Sequence, residues 1–269
     1  MSEIPPRILA RRDGTSIAYH RRAAGESGVR RANLPEAELP GIVFLGGFMS
    51  DMTGSKALAL DAYADAHGRN FVRFDYQGHG ASSGRFEDGT IGRWAEDAIA
   101  VIDELTQGPQ ILVGSSMGGW IMLLAALARP DRVAGLVGIA AAPDFTETLM
   151  WNAFSPDIKE TLRRDGLYHQ PSDYGEAPYP ITLQLIEDGR QHLLMDRPIP
   201  IACPVRLIHG TADPDVPYRL SLDLMDKLES QDVEVTLVKG GGHRLSEPHD
   251  LARLTGTVAT LSERVSKRD

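Results

Sequence analysis

The pentapeptide at positions 114–118, of sequence GSSMG, restricts the fold of this chain more than any other stretch. Three apolar residues, 111–113, precede it, and an apolar helical sequence follows it without another breaker as far as Pro130. The pattern predicts a strand, a sharp turn and a helix. Glycines two residues before and two residues after Ser116 let the strand and the helix approach each other without clashes between Cβ atoms.

This predicted turn puts Ser116 where a serine can act as a nucleophile. Its hydroxyl would stand at the N-terminus of the following helix. There, unpaired backbone N–H groups and the positive end of the helix dipole favour the negative charge of an acyl-transfer intermediate. An ordinary serine in a glycine-rich turn is the alternative. The strand before the turn and the helix after it favour the nucleophile.

Strand-like and helix-like segments alternate along most of the chain, which predicts a mostly parallel sheet with helices on both faces. The predicted strands are Arg7–Ala10, Thr15–Arg21, Ile42–Leu45, Phe71–Phe74, Ile111–Val113, Val133–Ile139, Val205–Ile208 and Val233–Val238. The predicted helices include Thr53–His67, Thr90–Leu105 and Pro248–Val265. In the second of these helices, Trp94 lies on the apolar face and is predicted to be a core residue.

The alternation stops between residues 144 and 200. No strand candidate there is strong, and helical pieces are predicted around 147–153, 156–164 and 181–194. An insertion of this size indicates a lid over the carboxyl ends of the strands, where ligands bind in open α/β sheets. We therefore predict a core domain of residues 1–143 and 201–269 and a helical lid of residues 144–200. The aromatic and apolar side chains of the lid form either its own core or a substrate contact, for which Met150 and Trp151 are the candidates.

A serine hydroxyl needs a general base within hydrogen-bond reach, and that base needs an orienting acid. His243 and Asp213 supply these two groups. Each directly follows a predicted strand, so both are expected at the same sheet edge as Ser116. Asp215 is the rival acid. Asp213 is favoured because it lies nearest the strand end and because Pro214 fixes the turn after it.

Two backbone N–H groups are expected to bind the oxyanion. One is that of Met117, the residue after the nucleophile, and the other comes from the loop after the strand that ends at Leu45. Phe48 is the predicted donor in that loop. Arg244, next to the base, is either a solvated surface residue or a contact for a carboxylate or sugar acid on the leaving group.

Other polar groups are predicted to have structural roles. His79 and His209, adjacent to turns, are expected to be hydrogen-bonded scaffold, and Cys203, the single cysteine, is expected to be a small buried hydrophobe.

No cofactor motif is found. The glycines at 78–84 follow the pattern Gly-x-Gly-x-x-x-Gly, whose spacing differs by one residue from the dinucleotide-binding fingerprint, so a dinucleotide site is disfavoured. The chain has no His-Glu-x-x-His or paired-cysteine motif, and we predict neither a metal nor a cofactor.

Composition restricts the partners. The net charge of −9 argues against nucleic acid and anionic membranes, which both require a basic face. No stretch approaches the ~20 apolar residues of a membrane span, and residues 1–12 contain no run long enough for a signal peptide. These features predict a soluble cytosolic protein, monomeric or homodimeric, that acts on a small molecule.

With these residues assembled, the chain resembles the α/β-hydrolase superfamily over its whole length. Four stretches resemble more closely the subfamily of palmitoyl-protein thioesterases and acyl-glucuronide esterases. They are GFMSDM at 47–52, FDY at 74–76, GPQILVGSSMGGW at 108–120 and PVRLIHG at 204–210. The resemblance implies an α/β-hydrolase fold with about eight strands and a helical lid. It also implies Ser116, Asp213 and His243 as a catalytic triad, and an acyl ester or an S-acylated substrate.

Three hypotheses for function follow. The first is a serine hydrolase that cleaves carboxylic esters or thioesters through an acyl-enzyme. The second is a cofactor-free perhydrolase, haloperoxidase or C–C bond hydrolase that uses the same triad. The third, disfavoured by an intact triad, is a non-catalytic protein that binds ligands on the same scaffold.

Overall fold

The computed structural model describes residues 5–24, 39–171 and 178–266. Its strands are β1 (Arg7–Ala10), β2 (Ser16–Arg22), β3 (Gly41–Leu45), β4 (Phe71–Phe74), β5 (Gln110–Ser115), β6 (Val133–Ile139), β7 (Leu167–Gln170), β8 (Tyr179–Thr182), β9 (Val205–Gly210) and β10 (Val233–Val238). Eight of them form one sheet in the order β1-β2-β4-β3-β5-β6-β9-β10. Strand β2 is antiparallel to β1 and β4, and the remaining neighbours are parallel. The predicted mostly parallel sheet of eight strands is confirmed.

The central strands are covered on both faces. The helices are α1 (Ser55–Ala66), α2 (Ile91–Leu105), α3 (Met117–Ala128), α4 (Pro156–Asp165), α5 (Leu183–Gly189), α6 (Arg219–Lys227) and α7 (Pro248–Ser266). On β5, Ile111 and Val113 pack in one cluster with α1 and α7, whereas Leu112 packs in the other with α2, α3 and α6. This two-residue alternation lets a continuous apolar run serve two helical layers. Trp94 of α2 is fully buried.

The segment predicted as a lid, residues 144–200, differs from its prediction in secondary structure. After one π-helical turn, Thr146–Trp151, and α4, the chain forms the antiparallel hairpin β7–β8, and α5 covers only part of the helix predicted at 181–194. Gly166, at φ 75°, ends α4 and directs the chain into β7, and Thr182 caps α5 by accepting the backbone N–H of Leu185. The sequences of β7 and β8, LYHQ and YPIT, show neither an uninterrupted apolar run nor a regular alternation of apolar and polar residues.

This lid segment has a small core of its own. Its fully or nearly buried members are Phe154, Leu162, Ile181 and Ile186. Residues 172–177 lie outside the described part of the segment. Within the described residues, none of the helices combines the length and apolar character that a bilayer crossing requires.

Candidate active site

Ser116 occupies a strained turn between β5 and α3. Its backbone has φ 55° and ψ −119°, a conformation that non-glycine residues rarely adopt. A Cβ at Gly118 would lie 2.1 Å from the carbonyl oxygen of Leu45, and one at Gly114 would lie 2.3 Å from that of Gly118. The glycines on both sides of the serine are therefore required by backbone contacts, as the pattern predicted.

Three side chains at the carboxyl edge of the sheet are connected by hydrogen bonds. His243 Nε2 lies 3.0 Å from Ser116 Oγ, and His243 Nδ1 lies 2.8 Å from Asp213 Oδ2. An ionised carboxylate only accepts hydrogen bonds, so Nδ1 carries the proton and Nε2 accepts from the serine hydroxyl. Asp213 follows β9 and His243 follows β10, so the structure brings the predicted nucleophile, base and acid together.

The carboxylate of Asp213 is held by several donors. Oδ1 accepts the backbone N–H groups of Asp215 and Val216, both at 2.9 Å. Burial alone would raise the pKa of Asp213, but hydrogen bonds from His209, His243 and Val216 outweigh burial and hold this pKa well below its usual range. Asp215, the rival acid, is exposed, and its backbone N–H supports Asp213.

Asp213, Asp215 and His243 also place one potential metal-ligand atom each within 4.8 Å of one another. Both oxygens of Asp213 and both ring nitrogens of His243 already have hydrogen-bond partners. A cation would have to displace these bonds. The arrangement suits proton transfer better than metal binding.

The two predicted oxyanion donors lie beside the serine. Phe48 and Met117 both line the cavity that contains Ser116, and a Cβ at Gly47 would lie 3.5 Å from Ser116 Cβ. Among the described residues, no hydrogen bond uses the backbone N–H of Phe48 or Met117. Both N–H groups can therefore donate a hydrogen bond to a ligand oxygen. The Phe48 ring packs edge-on against four aromatic rings, those of Phe86, Trp94, Phe145 and Tyr179, at 4.9 to 6.0 Å.

The cavity in front of Ser116 has a volume of about 590 Å³ and is lined by both apolar and cationic side chains. Phe145, Leu149 and Met150 of the lid segment are among the apolar ones. Trp151, the other predicted substrate contact, is not among the lining residues. Its ring instead lies beneath three cations, those of Lys159, Arg163 and Arg190, at 4.7 to 5.5 Å.

Two cationic residues also line the cavity. Arg244, for which the sequence left a solvated surface position and a leaving-group contact both open, is exposed and lines the cavity together with Lys56 of α1. Lys56 Nζ donates to the carbonyl oxygen of Arg244 at 2.6 Å. Burial, and then the nearby charge of Arg244, lower the pKa of Lys56 to about 8, so the ammonium is still mostly charged at neutral pH.

Comparison with known proteins agrees with this geometry. Residues 42–254 match the model of the Alpha/beta hydrolase family. The chain belongs to this family. The mitochondrial palmitoyl-protein thioesterase ABHD10 of Bos taurus is 40% identical over 260 residues, which cover 96% of this α/β-hydrolase and 80% of the bovine protein. The Homo sapiens protein of the same name is 39% identical and covers 99% of this chain and 88% of its own.

Solved structures extend the likeness to three dimensions. The alpha/beta hydrolase domain-containing protein 10 from mouse has a TM-score of 0.86 and 37% identity, and covers 97% of this chain and 100% of its own. A putative hydrolase from Agrobacterium vitis S4 has a TM-score of 0.87 and 41% identity, with coverages of 96% and 100%. The resemblance to the palmitoyl-protein thioesterase subfamily is thus confirmed.

The predicted cytosolic location is wrong. All five curated palmitoyl-protein thioesterase relatives, from cattle, mouse, orangutan, human and rat, are named as mitochondrial. An organelle address resides in a separable targeting segment that the folded domain does not need. The residues that build the fold therefore give no information about the compartment.

Several residues of the site were not identified from the sequence. They are Lys56, Phe145 and Gln170, all of which line the cavity, as do Leu149 and Tyr179, which the sequence left open between the core of the lid and a substrate contact. A signal existed for Lys56, because it lies in the first turn of the helix that follows β3 and the N-termini of such helices share the sheet edge of the active site. The lid residues carried no comparable signal.

Two groups predicted to be structural are buried or half-buried. Burial lowers the pKa of His79 to about 4, and its Nδ1 lies 3.2 Å from the carbonyl oxygen of Gln77. Burial also raises the pKa of Cys203 to about 11, which keeps this thiol protonated and unreactive at neutral pH.

Proposed function

We propose that this α/β-hydrolase is a serine hydrolase that cleaves carboxylic esters or thioesters through an acyl-enzyme. The hydrogen bonds between the three side chains carry this proposal: Ser116 Oγ lies 3.0 Å from His243 Nε2, and His243 Nδ1 lies 2.8 Å from Asp213 Oδ2. Ser116 and His243 line a cavity of about 590 Å³. This volume is in the range of small-molecule sites.

In the first half of the reaction, Ser116 Oγ attacks the carbonyl carbon of the substrate and its proton passes to His243 Nε2. Asp213 stays ionised and stabilises the resulting imidazolium. The backbone N–H groups of Met117 and Phe48 donate to the oxyanion. When the intermediate collapses, the bond to the alcohol or thiol breaks and Nε2 returns its proton to the leaving group.

Water completes the cycle. His243 Nε2 takes a proton from a water molecule as the water oxygen attacks the acyl carbon. The bond to Ser116 Oγ then breaks, the serine recovers its proton, and the carboxylic acid leaves. The cycle consumes the substrate and water, regenerates the triad, and uses no other group besides the two N–H donors.

S-acylated substrates are the favoured class. The curated relatives are named palmitoyl-protein thioesterases, and three apolar side chains of the lid segment offer an acyl chain a surface away from water. The lid segment has its own small core. This supports the division into a core of residues 1–143 and 201–269 and a lid of residues 144–200.

The decisive experiment compares wild type with Ser116→Ala on p-nitrophenyl esters and acyl thioesters of increasing chain length. Turnover should disappear in the variant, and a fluorophosphonate probe should label only the wild type. Turnover that survives in Ser116→Ala would refute the assignment. Peroxide-dependent halogenation or diketone cleavage with poor ester turnover would replace it with the perhydrolase or C–C hydrolase hypothesis.

The two cationic residues that line the cavity favour substrates with an anionic leaving group. The leaving group must lie within reach of His243 Nε2 to take its proton, and Arg244 is the next residue along the chain, with Lys56 bonded to its carbonyl oxygen. A carboxylate there, as on a sugar acid, would meet two positive charges. Arg244→Gln should therefore raise KM for esters with anionic leaving groups and leave KM for neutral esters unchanged. Equal effects on both classes would contradict this specificity.

A further inference from the structure

His209 lies at the end of β9, fully buried behind the loop that carries Asp213. Its Nδ1 lies 2.7 Å from Ser221 Oγ of α6. Its Nε2 lies 2.9 Å from the carbonyl oxygen of Val216 and 3.2 Å from Asp213 Oδ2. The side chain therefore connects three segments: the strand, the acid loop and a helix.

These contacts determine the tautomer of His209. The Val216 carbonyl and the ionised Asp213 carboxylate can only accept hydrogen bonds, so Nε2 carries the proton. Nδ1 then accepts the hydroxyl proton of Ser221. The single Nε2–H is directed between Val216 and Asp213, with the shorter contact to Val216.

Asp213 is thus surrounded by donors on both oxygens. The N–H groups of Asp215 and Val216 occupy Oδ1, while His243 and His209 approach Oδ2 from two sides. His209 also holds the carbonyl of Val216, whose own N–H is one of these donors. Through both contacts, His209 fixes the position of the carboxylate.

We propose that His209 is a positioning residue for the acid of the triad, holding the Asp213 carboxylate in the orientation that His243 Nδ1 requires. The inference rests on the proposed hydrolase function and assigns to His209 more than a place in the scaffold. His209 is among the donors that keep the pKa of Asp213 low.

The electrostatic surroundings of His209 are simple. Within the described residues, the charged or titratable group that contacts it is Asp213, and His243 lies behind that carboxylate. Helix α6 contributes the Ser221 hydroxyl, and the residue paired with His209 on β10 is Leu237. Without the Nε2–H of His209, less of the negative charge of Asp213 would be compensated by His209, so this carboxylate would attract the imidazolium of His243 more strongly.

Two polar substitutions separate the contacts. The amide nitrogen of glutamine in His209→Gln reaches the place of Nε2, whereas that of asparagine in His209→Asn reaches only the place of Nδ1. His67→Leu, at an exposed histidine after α1, is the control. We would measure melting temperature, kcat, KM and the pH profile of kcat/KM on a p-nitrophenyl ester, with Ser116→Ala alongside. His209→Leu replaces His209→Asn if the latter does not fold.

In His209→Asn we expect kcat to fall about tenfold, which corresponds to ~1.4 kcal/mol and to the size of one hydrogen bond to a charged group. KM should not change. The acidic limb of the profile should move up by about half a pH unit. His209→Gln should restore most of kcat and return the limb toward wild type, and His67→Leu should match wild type throughout.

A folded His209→Asn with wild-type kcat and an unmoved acidic limb would overturn the proposal. Equal losses in His209→Asn and His209→Gln that follow melting temperature alone would also overturn it, because they indicate only a structural role. If wild type lacks turnover that depends on Ser116, the proposed function fails instead. The NMR resonance of the proton between His243 Nδ1 and Asp213 then decides without substrate: it should move downfield in His209→Asn, and an unchanged resonance overturns the proposal.

Discussion

Replacing Gly118 by alanine tests whether the turn around Ser116 sets the geometry of the oxyanion donors. A Cβ at this position would lie 2.1 Å from Leu45 O and 2.5 Å from Gly46 O, whereas ordinary contacts begin at 3.4 Å. The backbone must therefore move by roughly 1.3 Å, the difference between 3.4 and 2.1 Å. Both contact atoms belong to the backbone, so no side-chain rotation can relieve the clash.

This movement would separate the two segments that carry the proposed oxyanion donors, Met117 and Phe48. Gly118 belongs to the first turn of α3, next to Met117, and Leu45 ends β3 just before the loop with Phe48. Loss of one oxyanion donor lowers kcat by about 10²–10³, and overpacking costs about 1–3 kcal/mol. We therefore expect at least a ~100-fold loss of kcat and a melting temperature lower by roughly 3–10 °C.

The assay is kcat on a p-nitrophenyl ester together with thermal unfolding of the same preparation. Gly256→Ala in α7 is the matched control, because a Cβ there meets no atom within 4 Å. Its kcat should equal that of wild type, and its stability should rise by up to ~1 kcal/mol from helix propensity. A folded Gly118→Ala with wild-type kcat would refute the assignment of the oxyanion donors to Met117 and Phe48.

Two further predictions concern the cavity and the pH dependence of stability. Met150→Ala should change acyl-chain preference because Met150 lines the cavity, whereas Trp151→Ala, measured on the same ester series, should not; the reverse result would contradict the cavity assignment. Burial raises the pKa of Asp97 to about 6 from 3.8, so its contribution to stability is present below pH 3.8 and lost as pH rises through 6. Asp97→Asn keeps an acceptor for the backbone N–H of Gln77 and should reduce the fall of the unfolding free energy with pH, measured by urea denaturation. The same fall in the variant and in wild type would contradict the role of Asp97.

Much of the sheet could be predicted from the sequence because its central strands are buried on both faces. The central strand β6 has the predicted bounds, Val133–Ile139, and so does the edge strand β10, Val233–Val238, whose residues are half-buried or exposed. Strands β3, β4, β5 and β9 are buried at every residue. In the sequence, β3 and the centre of β5 are uninterrupted apolar runs, whereas β4 and β9 each include a buried arginine among their apolar residues.

The convergence of Ser116, Asp213 and His243 could be anticipated for a topological reason. The carboxyl ends of parallel strands share one sheet edge, so residues that directly follow β5, β9 and β10 meet there whatever the distances between them in sequence. The hydrogen-bond lengths and the second histidine on Asp213 could not be anticipated. They depend on how the loop after β9 folds back on its own strand.

In the lid segment, the sequence does not indicate which side chains face the cavity. Trp151 and Met150 are adjacent and equally apolar in the sequence, yet one lies beneath three cations and the other lines the cavity. The two side chains point to different surroundings because both residues lie in a π-helical turn. A turn of six residues has no repeating pattern from which the orientation of its side chains could be predicted.

The same distinction separates the chemistry of this α/β-hydrolase from its specificity. Each member of the proposed triad lies in a local motif with a strand on one side, so its position follows from the sheet. The contact between the two cationic residues that line the cavity, Lys56 and Arg244, joins residues 188 positions apart. Each has a position in the sequence that suggests the site, but a charged side chain is most often simply solvated, so that position alone does not indicate a contact. Reaction type can therefore be inferred from the sequence of such a chain, whereas the preference for a leaving group requires the packing of α1 against the loop after β10.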